Sequence, residues 1–230
     1  MTDDRLPTLN HFGVYRFTHE YWSLGAERRA GVYADLVNGL RESATVHSYQ
    51  VTPLESDADL LLWSVVEVED PGTPHGFFGS LARALSPFRK YVEPRDSLWG
   101  FTSASQYSKA KSAQEVDPLA RERSPYLVMY PFTKTADWYL MGAETRQGMM
   151  NEHIRIGKQY REISQLLLYS VGLQDQEFVV VYETDDLMMF SALVKELRDT
   201  EARRYTKLDT PVHTALRAPP DAIESVWAGF

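Results

Sequence analysis

Met149, His153, Ile156, Tyr160 and Ile163 follow one another at intervals of four, three, four and three residues, the spacing of one face of a helix. An imidazole therefore stands in a row that is otherwise apolar, while Asn151, Glu152, Arg155, Lys158, Gln159 and Glu162 fall on other sides. Two chemistries suit such a residue. It is a core histidine hydrogen-bonded to a neighbour, the commoner case for a lone histidine on an apolar face, or it is a nitrogen ligand for something held in the core. The run "EFVVVYE" ending at Glu183 alternates, so Val179, Val181 and Glu183 share a face and an acid closes an apolar row. A buried carboxylate that accepts the outer N–H of an imidazole fixes the tautomer and makes the other nitrogen a stronger donor to a metal. Read alone, Glu183 is equally a solvated strand end. With no second histidine close by in the sequence, zinc held by side chains alone is poorly served. Haem is better served, because the macrocycle brings its own equatorial ligands.

A second group lies in "MYPFTKTADWYLM", residues 129–141. Tyr130 ends a strand-like run before Pro131, and Lys134 follows four residues later with Trp138 and Tyr139 close by. A tyrosine beside a redox cofactor can be oxidised to a radical, and a lysine beside it can move protons or hold a carboxylate. Without context, an aromatic cluster with a snorkelling lysine explains the same residues. The cations near these segments are Arg121, Arg123, Lys134, Arg155, Lys158 and Arg198. Surface charge accounts for most of them; Arg198, beside the apolar stripe of Leu193 and Leu197, is placed to meet a carboxylate within. The chain has no P-loop, no GxGxxG between strand and helix, no HExxH and no GxSxG.

These residues need elements to position them. The first half reads as a strand (12–18), a helix (24–41), two strands in "ATVHSYQVT" and "DADLLLWSVVEVED", an amphipathic helix (76–91) and a strand in "SLWGFTSAS". The second half repeats that order: strand "PYLVMYPF", the histidine-bearing helix (143–164), strands "LLLYSVGL" and "QEFVVVYET", a helix (187–204) and a last strand in "PVHTALR". Each half is β-α-β-β-α-β, the ferredoxin-like unit. The expected organisation is an N-terminal unit over 8–103, a polar linker over 104–123, a C-terminal unit over 124–217, and a tail over 218–230 whose Trp227 and Phe230 pack on a neighbouring surface.

Composition narrows the function. With 43% hydrophobic and 24% charged residues among 230, the chain has the balance of an ordinary globular protein. It has no cysteine, which excludes disulfides, thiolate metal sites and cysteine nucleophiles and fits a reducing, cytoplasmic setting. A formal net charge of −8 argues against nucleic acid as a partner and requires any anionic ligand to find locally gathered Arg and Lys. The acidic start "MTDDRLPTLNHF" does not read as a secretory signal, and no apolar run is long enough to span a bilayer.

Together, "YPFTKTADWYLM", "MMNEHIRIGKQY", "SVGLQDQEFVVVYETDDL" and "LVKELRDTEARRY" resemble the chlorite dismutase superfamily, and within it the coproheme decarboxylase branch. The resemblance covers about residues 124–217; the N-terminal half shares only the order of elements. It implies an α+β fold in which two ferredoxin-like units form a dimeric α+β barrel within one chain, assembled as a homopentamer, with porphyrin iron in the second unit only. It makes His153 the axial iron ligand, Glu183 the acid that bonds it, Tyr130 the radical-forming tyrosine and Lys134 its assisting lysine. Arg198 and either Arg121 or Arg123 become propionate-binding cations. Thirteen residues after the histidine, chlorite-degrading members carry an arginine over the iron and several decarboxylases a glutamine; here that position is Leu166, which argues against chlorite dismutation.

The implied activity is peroxide-dependent oxidative decarboxylation of iron-coproporphyrin III (coproheme) to haem b, with haem b or coproheme as the bound group and hydrogen peroxide as co-substrate. The peroxide-oxidised centre passes its oxidising equivalent to Tyr130, whose radical attacks a propionate. The alternatives are a haem peroxidase or oxygenase, or a haem sensor, on the same scaffold.

Overall fold

The computed structural model describes residues 6–107 and 113–217, so the tail residues Trp227 and Phe230 lie outside the described residues. The chain divides into two compact units. The first holds residues up to Thr102 together with Pro118–Arg121 and the chain from Thr214; the second holds Ser103–Asp117 and Glu122–His213. Of the described residues in 104–123, all but Pro118–Arg121 group with the second unit.

In the first unit, strand β1 (Thr8–Phe17) leads through a short helix α1 (His19–Trp22) into α2 (Ala26–Arg41), then β2 (Thr45–Gln50), β3 (Leu60–Glu67), α3 (Thr73–Leu85) and β4 (Val92–Thr102). The antiparallel order β4-β1-β3-β2 is that of a ferredoxin-like sheet. Val32, Leu36, Val37 and Leu40 of α2, with Phe77 and Leu81 of α3, recur at helical spacing and are buried against Leu60 and Leu62 of β3. The gap between sheet and helices is filled by side chains.

In the second unit, β5 (Tyr126–Lys134), α4 (Ala136–Leu140) and α5 (Ala143–Gly157) precede β6 (Ser164–Tyr169), β7 (Phe178–Thr184), α6 (Leu187–Arg198), a 3-10 turn (Glu201–Tyr205) and the short β8 (Thr206–Leu208). Strand order here is β6-β7-β5-β8, so β7 is central and hydrogen-bonded on both edges. The last strand, β9 (His213–Arg217), pairs with β2 through Arg217 and Leu216. Both units are nonetheless β-α-β-β-α-β, as the sequence pattern requires.

Two helices are shorter than the pattern predicts. α5 stops at Gly157, so Tyr160 and Ile163 leave the helical row. The reason lies in Gln114, whose Nε2 donates to the carbonyls of Tyr160 at 2.7 Å and Ile163 at 3.0 Å and holds the connection to β6 outside a helical path. The backbone beside Gln114 also pairs with β6, from Gln165 N to Gln114 O at 2.7 Å and from Val116 N to Gln165 O at 3.0 Å. The edge of β6 has donors and acceptors that need partners, and the supposed linker supplies them. α6 ends at Arg198, and the chain continues as the 3-10 turn.

At its other end α6 is capped by Asp186, whose carboxylate accepts from the backbone N–H of Met188 at 2.8 Å and Met189 at 3.1 Å. Among the described residues no helix is long and apolar enough to cross a membrane. Replacing Asp186 with Ala should lower the second unit's stability by about 1 kcal/mol, the usual value of a side-chain N-cap. A urea titration with an unshifted midpoint would count against that role for the cap.

Candidate functional site

The site is built on one face of the second unit's sheet. Registers place Val128 of β5 opposite Tyr182 of β7, which is opposite Gln165 of β6; Tyr130 opposite Val180, opposite Leu167; and Phe132 opposite Phe178, opposite Tyr169. Directly opposed residues point to the same side, so these three rows form a single wall. Its lower row is an aromatic chain, with Phe132 and Phe178 stacked at 4.7 Å between ring centroids and Tyr169 edge-on to Phe178 at 5.5 Å. α6 covers one part of the wall through Leu193, with Val180, Tyr182 and Ile163 buried in the same cluster and Ile156 of α5 packed beside them.

α5 is less tightly seated than its sequence suggests. It carries no fully buried side chain, and Leu167, on the wall, keeps 38% of its surface exposed. In the first unit the equivalent space is occupied by aromatic and aliphatic side chains; here α5 brings Ile156 to the wall.

His153 precedes Ile156 by three residues and so lies on the same helical face, the one turned to the wall. Its Nδ1 is buried and has no hydrogen-bond partner. Burial, reinforced by the ammonium of Lys134, brings its pKa down to about 4, with Glu152 opposing weakly. The imidazole is therefore neutral near pH 7, with a nitrogen lone pair available to a metal. Among the described residues no group of three or more His, Asp or Glu is placed to hold a metal ion. A metal at His153 must bring its other ligands with it.

The expected partner of that imidazole is not Glu183. Glu183 forms a buried ion pair with Arg123 at 3.3 Å, their side chains 8% and 1% exposed, and the same guanidinium donates to the carbonyl of Asp117. Strand alternation is the cause. Glu183 directly follows Tyr182, so it points to the face away from α5. Arg123 is thereby committed to Glu183 rather than to a ligand, and Arg121 is exposed in the segment that groups with the first unit.

Leu166 is displaced by the same alternation. It is 3% exposed and opposes Val181, on the face shared with Glu183. The β6 residues on the wall are Gln165 and Leu167. Counting thirteen residues from His153 thus selects the wrong side of the strand by one position. Gln165 was legible only through the burial alternation of "SQLLLY", which no residue count contains.

Lys134 ends β5 on the imidazole's side of the site. Its Nζ lies 4.5 Å from the centre of the Trp138 ring and reaches Thr206 Oγ1 at 3.4 Å and the carbonyl of Ala202 at 3.5 Å. Burial, with Arg203 adding repulsion, brings its pKa down to about 8 despite Glu177. Tyr130, by contrast, opens on a cavity of about 360 Å³ that is also lined by Phe190, Val194, Lys195, Arg198 and Asp209. Arg198 and Arg203 both meet Asp209, at 3.6 Å and 2.5 Å. Of the cations expected at the site, Arg198 alone is brought to the tyrosine; Lys195, Arg203 and Asp209 join it from positions the sequence pattern did not single out.

The imidazole has a signature in acid. An ordinary histidine binds a proton near pH 6.5 in the unfolded chain, whereas His153 resists it to about 4 in the fold. Stability is therefore intact above about pH 6.5 and declines as pH falls from there towards 4, by up to about 3 kcal/mol. His11 of the first unit, lowered to about 4 by burial, adds a loss over the same window. Without added porphyrin, His153→Ala should therefore show a clearly smaller drop in urea midpoint between pH 7 and pH 4.5 than the parent. An identical drop would mean that the imidazole is solvated.

Comparison with known proteins agrees with this architecture. The chlorite dismutase family model matches residues 23–218. The curated coproheme decarboxylase of Mycolicibacterium smegmatis is 27% identical over 173 residues, 74% of this chain and 71% of that protein. The coproheme decarboxylase of Staphylococcus saprophyticus is 33% identical over 160 residues, 64% of each chain. Among solved structures, chlorite dismutase from Candidatus Nitrospira defluvii in complex with imidazole superposes with a TM-score of 0.80 at 21% identity, covering 96% of this chain and 95% of that one. That likeness establishes a shared α+β fold of ferredoxin-like units, and the family match extends across both of them: the chain belongs to the chlorite dismutase family.

Proposed function

We propose that this protein converts iron-coproporphyrin III to haem b by peroxide-dependent oxidative decarboxylation, holding the substrate between α5 and the wall of β5, β7 and β6. The observation that carries the reading is Tyr130, a phenol set in the lining of a cavity where Arg198 and Lys195 stand beside the acids Asp199 and Asp209. Such a cavity suits a carboxylate brought up to a phenol. The two curated relatives, both coproheme decarboxylases, support the same activity.

An iron porphyrin with four propionates needs a neutral nitrogen donor, apolar walls and cations at its edge. His153 offers a buried Nδ1 with no partner. The wall offers Val180, Leu167 and the Phe132–Phe178–Tyr169 row. The edge offers Arg198 and Lys195, with Arg203 held nearby through Asp209. His153 would hold the iron. Bound there, the porphyrin iron supplies the redox chemistry with peroxide.

The chain's own residues do the rest. Burial, reinforced by repulsion from the Lys134 ammonium, keeps His153 unprotonated, and that ammonium is retained at neutral pH because its pKa stays near 8. Burial holds the Tyr130 phenol above its ordinary pKa, so the phenol is protonated at neutral pH and its one-electron oxidation must also release that proton. Its phenoxyl can then take a hydrogen atom from a propionate side chain in the cavity. Each vinyl group formed releases one carbon dioxide, two electrons and one proton, and one peroxide with a further proton takes up those electrons as water. Arg198 and Lys195 orient the carboxylate, which fixes which carbon faces the phenol.

Gln165 and Leu167, the β6 side chains on this face, carry no positive charge. Chlorite would find no cation there, so dismutation is not supported by the wall as built. The reading also includes a cytosolic homo-oligomer, a ring of five copies. Leu140 and Met188, 84% and 85% exposed, are apolar surface that such an assembly would cover. Light scattering that finds a monomer at micromolar concentration would remove that part.

Tyr130→Phe should bind coproheme with unchanged affinity and release no carbon dioxide on addition of peroxide, read by mass analysis of the porphyrin. Parental decarboxylation by the variant, or a parent that leaves all four propionates intact, would shift the assignment to a haem peroxidase or sensor. Gln165→Leu should change the ferric absorption spectrum and the rate of reaction with peroxide. Leu166→Gln should leave the spectrum alone and instead cost about 1–3 kcal/mol of stability, by burying an amide on the opposite face. The reverse pattern would restore Leu166 to the site.

A further inference from the structure

Tyr182 is 4% exposed and lies among Val180, Ile163 and Leu193, with Phe190 at 5.1 Å between ring centroids. A phenylalanine would fill that space without burying a hydroxyl. An unpaired hydroxyl in such surroundings costs about 1–3 kcal/mol, so a tyrosine here calls for a partner. The register supplies one. Tyr130 opposes Val180, which makes Tyr182 its diagonal neighbour on the same face, and the two rings are near parallel, 6.1 Å apart at 28°. Each phenol acts on the other's ionisation in the sense of a hydrogen bond given by Tyr182 to Tyr130.

We propose that Tyr182 is a positioning residue for Tyr130: its hydroxyl donates to the Tyr130 oxygen, fixes the Tyr130 ring and directs the Tyr130 O–H into the cavity lined by Arg198. The donor is the more deeply buried phenol. Desolvation holds Tyr182 well above the ordinary tyrosine range, so it stays protonated, while the bond it gives favours charge on the Tyr130 oxygen. β7 is paired on both edges, so Tyr182 cannot follow Tyr130 if that ring moves. With its lone pair engaged by Tyr182, the Tyr130 hydroxyl has its own proton free for a carboxylate. The same bond persists to the phenoxyl oxygen once Tyr130 has lost a proton and an electron, and there it lowers the spin density. The inference rests on the reading of Tyr130 as the residue oxidised, but the pairing of the two rings needs no substrate.

The test uses the full-length protein labelled with [13Cζ]tyrosine, with Tyr130→Phe assigning the Tyr130 resonance. Without porphyrin, Tyr182→Phe should shift the Tyr130 signal and move its titration to higher pH, and Tyr130→Phe should shift the Tyr182 signal in return. Two unmoved resonances in folded variants would overturn the pairing. Loaded with coproheme and given peroxide, the parent should show a tyrosyl radical with a deuterium-exchangeable proton coupling. Tyr182→Phe should lose that coupling, show a higher largest g value, and decarboxylate roughly two- to tenfold more slowly. A coupling that survives in the variant would exclude Tyr182 as the donor. Decarboxylation with no Tyr130 radical in the parent would refute the radical reading of Tyr130, while the resonance shifts would still decide the pairing.

Discussion

β7 is hydrogen-bonded on both edges, and the site follows from that constraint. A strand held by two neighbours cannot rotate about its axis or slip by one residue without breaking a ladder on each side. Its alternation is therefore imposed on everything around it. Val180 and Tyr182 face α6 and the end of α5, and Val179, Val181 and Glu183 face the other way. Tyr130 acquires its aromatic neighbour, and His153 is denied the carboxylate at Glu183, through the same pleat.

The two units use one topology for different ends. In the first, α2 and α3 close on the sheet with a continuous apolar core in which Phe77, Leu81, Tyr33 and Leu36 are buried. In the second, α6 closes on β7 through Leu193 and α5 only through Ile156, and His153 of α5, a helix with no fully buried side chain, has an unpartnered Nδ1. An unsatisfied buried nitrogen and a partly bare Leu167 are unfavourable in a finished core. Both lie on the face where the proposed porphyrin would sit. The stability that the unit forgoes is returned on binding.

Charge is organised by the same economy. In a protein with a net charge of −8, two arginines of the second half are matched to acids. Arg123 is matched to Glu183, on the face away from the site, and Arg203 to Asp209, near the cavity. Arg198 remains 55% exposed, with only a 3.6 Å contact to Asp209. Removing either member of the Arg123–Glu183 pair would strand a buried charge, so that pair belongs to the framework. The Arg198 pairing is weak enough to be exchanged for an incoming carboxylate.

The sequence by itself determined the order of elements, because hydrophobic period and turn residues are local properties. Both β-α-β-β-α-β units were legible there, as were His153 on an inward helical face, Tyr130 at a strand and Arg198 beside an apolar stripe. The resemblance carried by four segments was enough to name the family. What the sequence could not determine was which side of a strand meets which helix. A count from His153 to Leu166 crosses a connection whose length sets the face by parity, and Gln114 shapes that connection from about fifty residues away in sequence. Gln165, not Leu166, shares the face of Tyr182 for that reason. The pairing of Glu183 with Arg123, the docking of residues 114–116 on β6 and the meeting of Tyr182 with Tyr130 are likewise products of register. Register is decided by ladders and packing between segments distant in the chain, and only the tertiary structure holds that information.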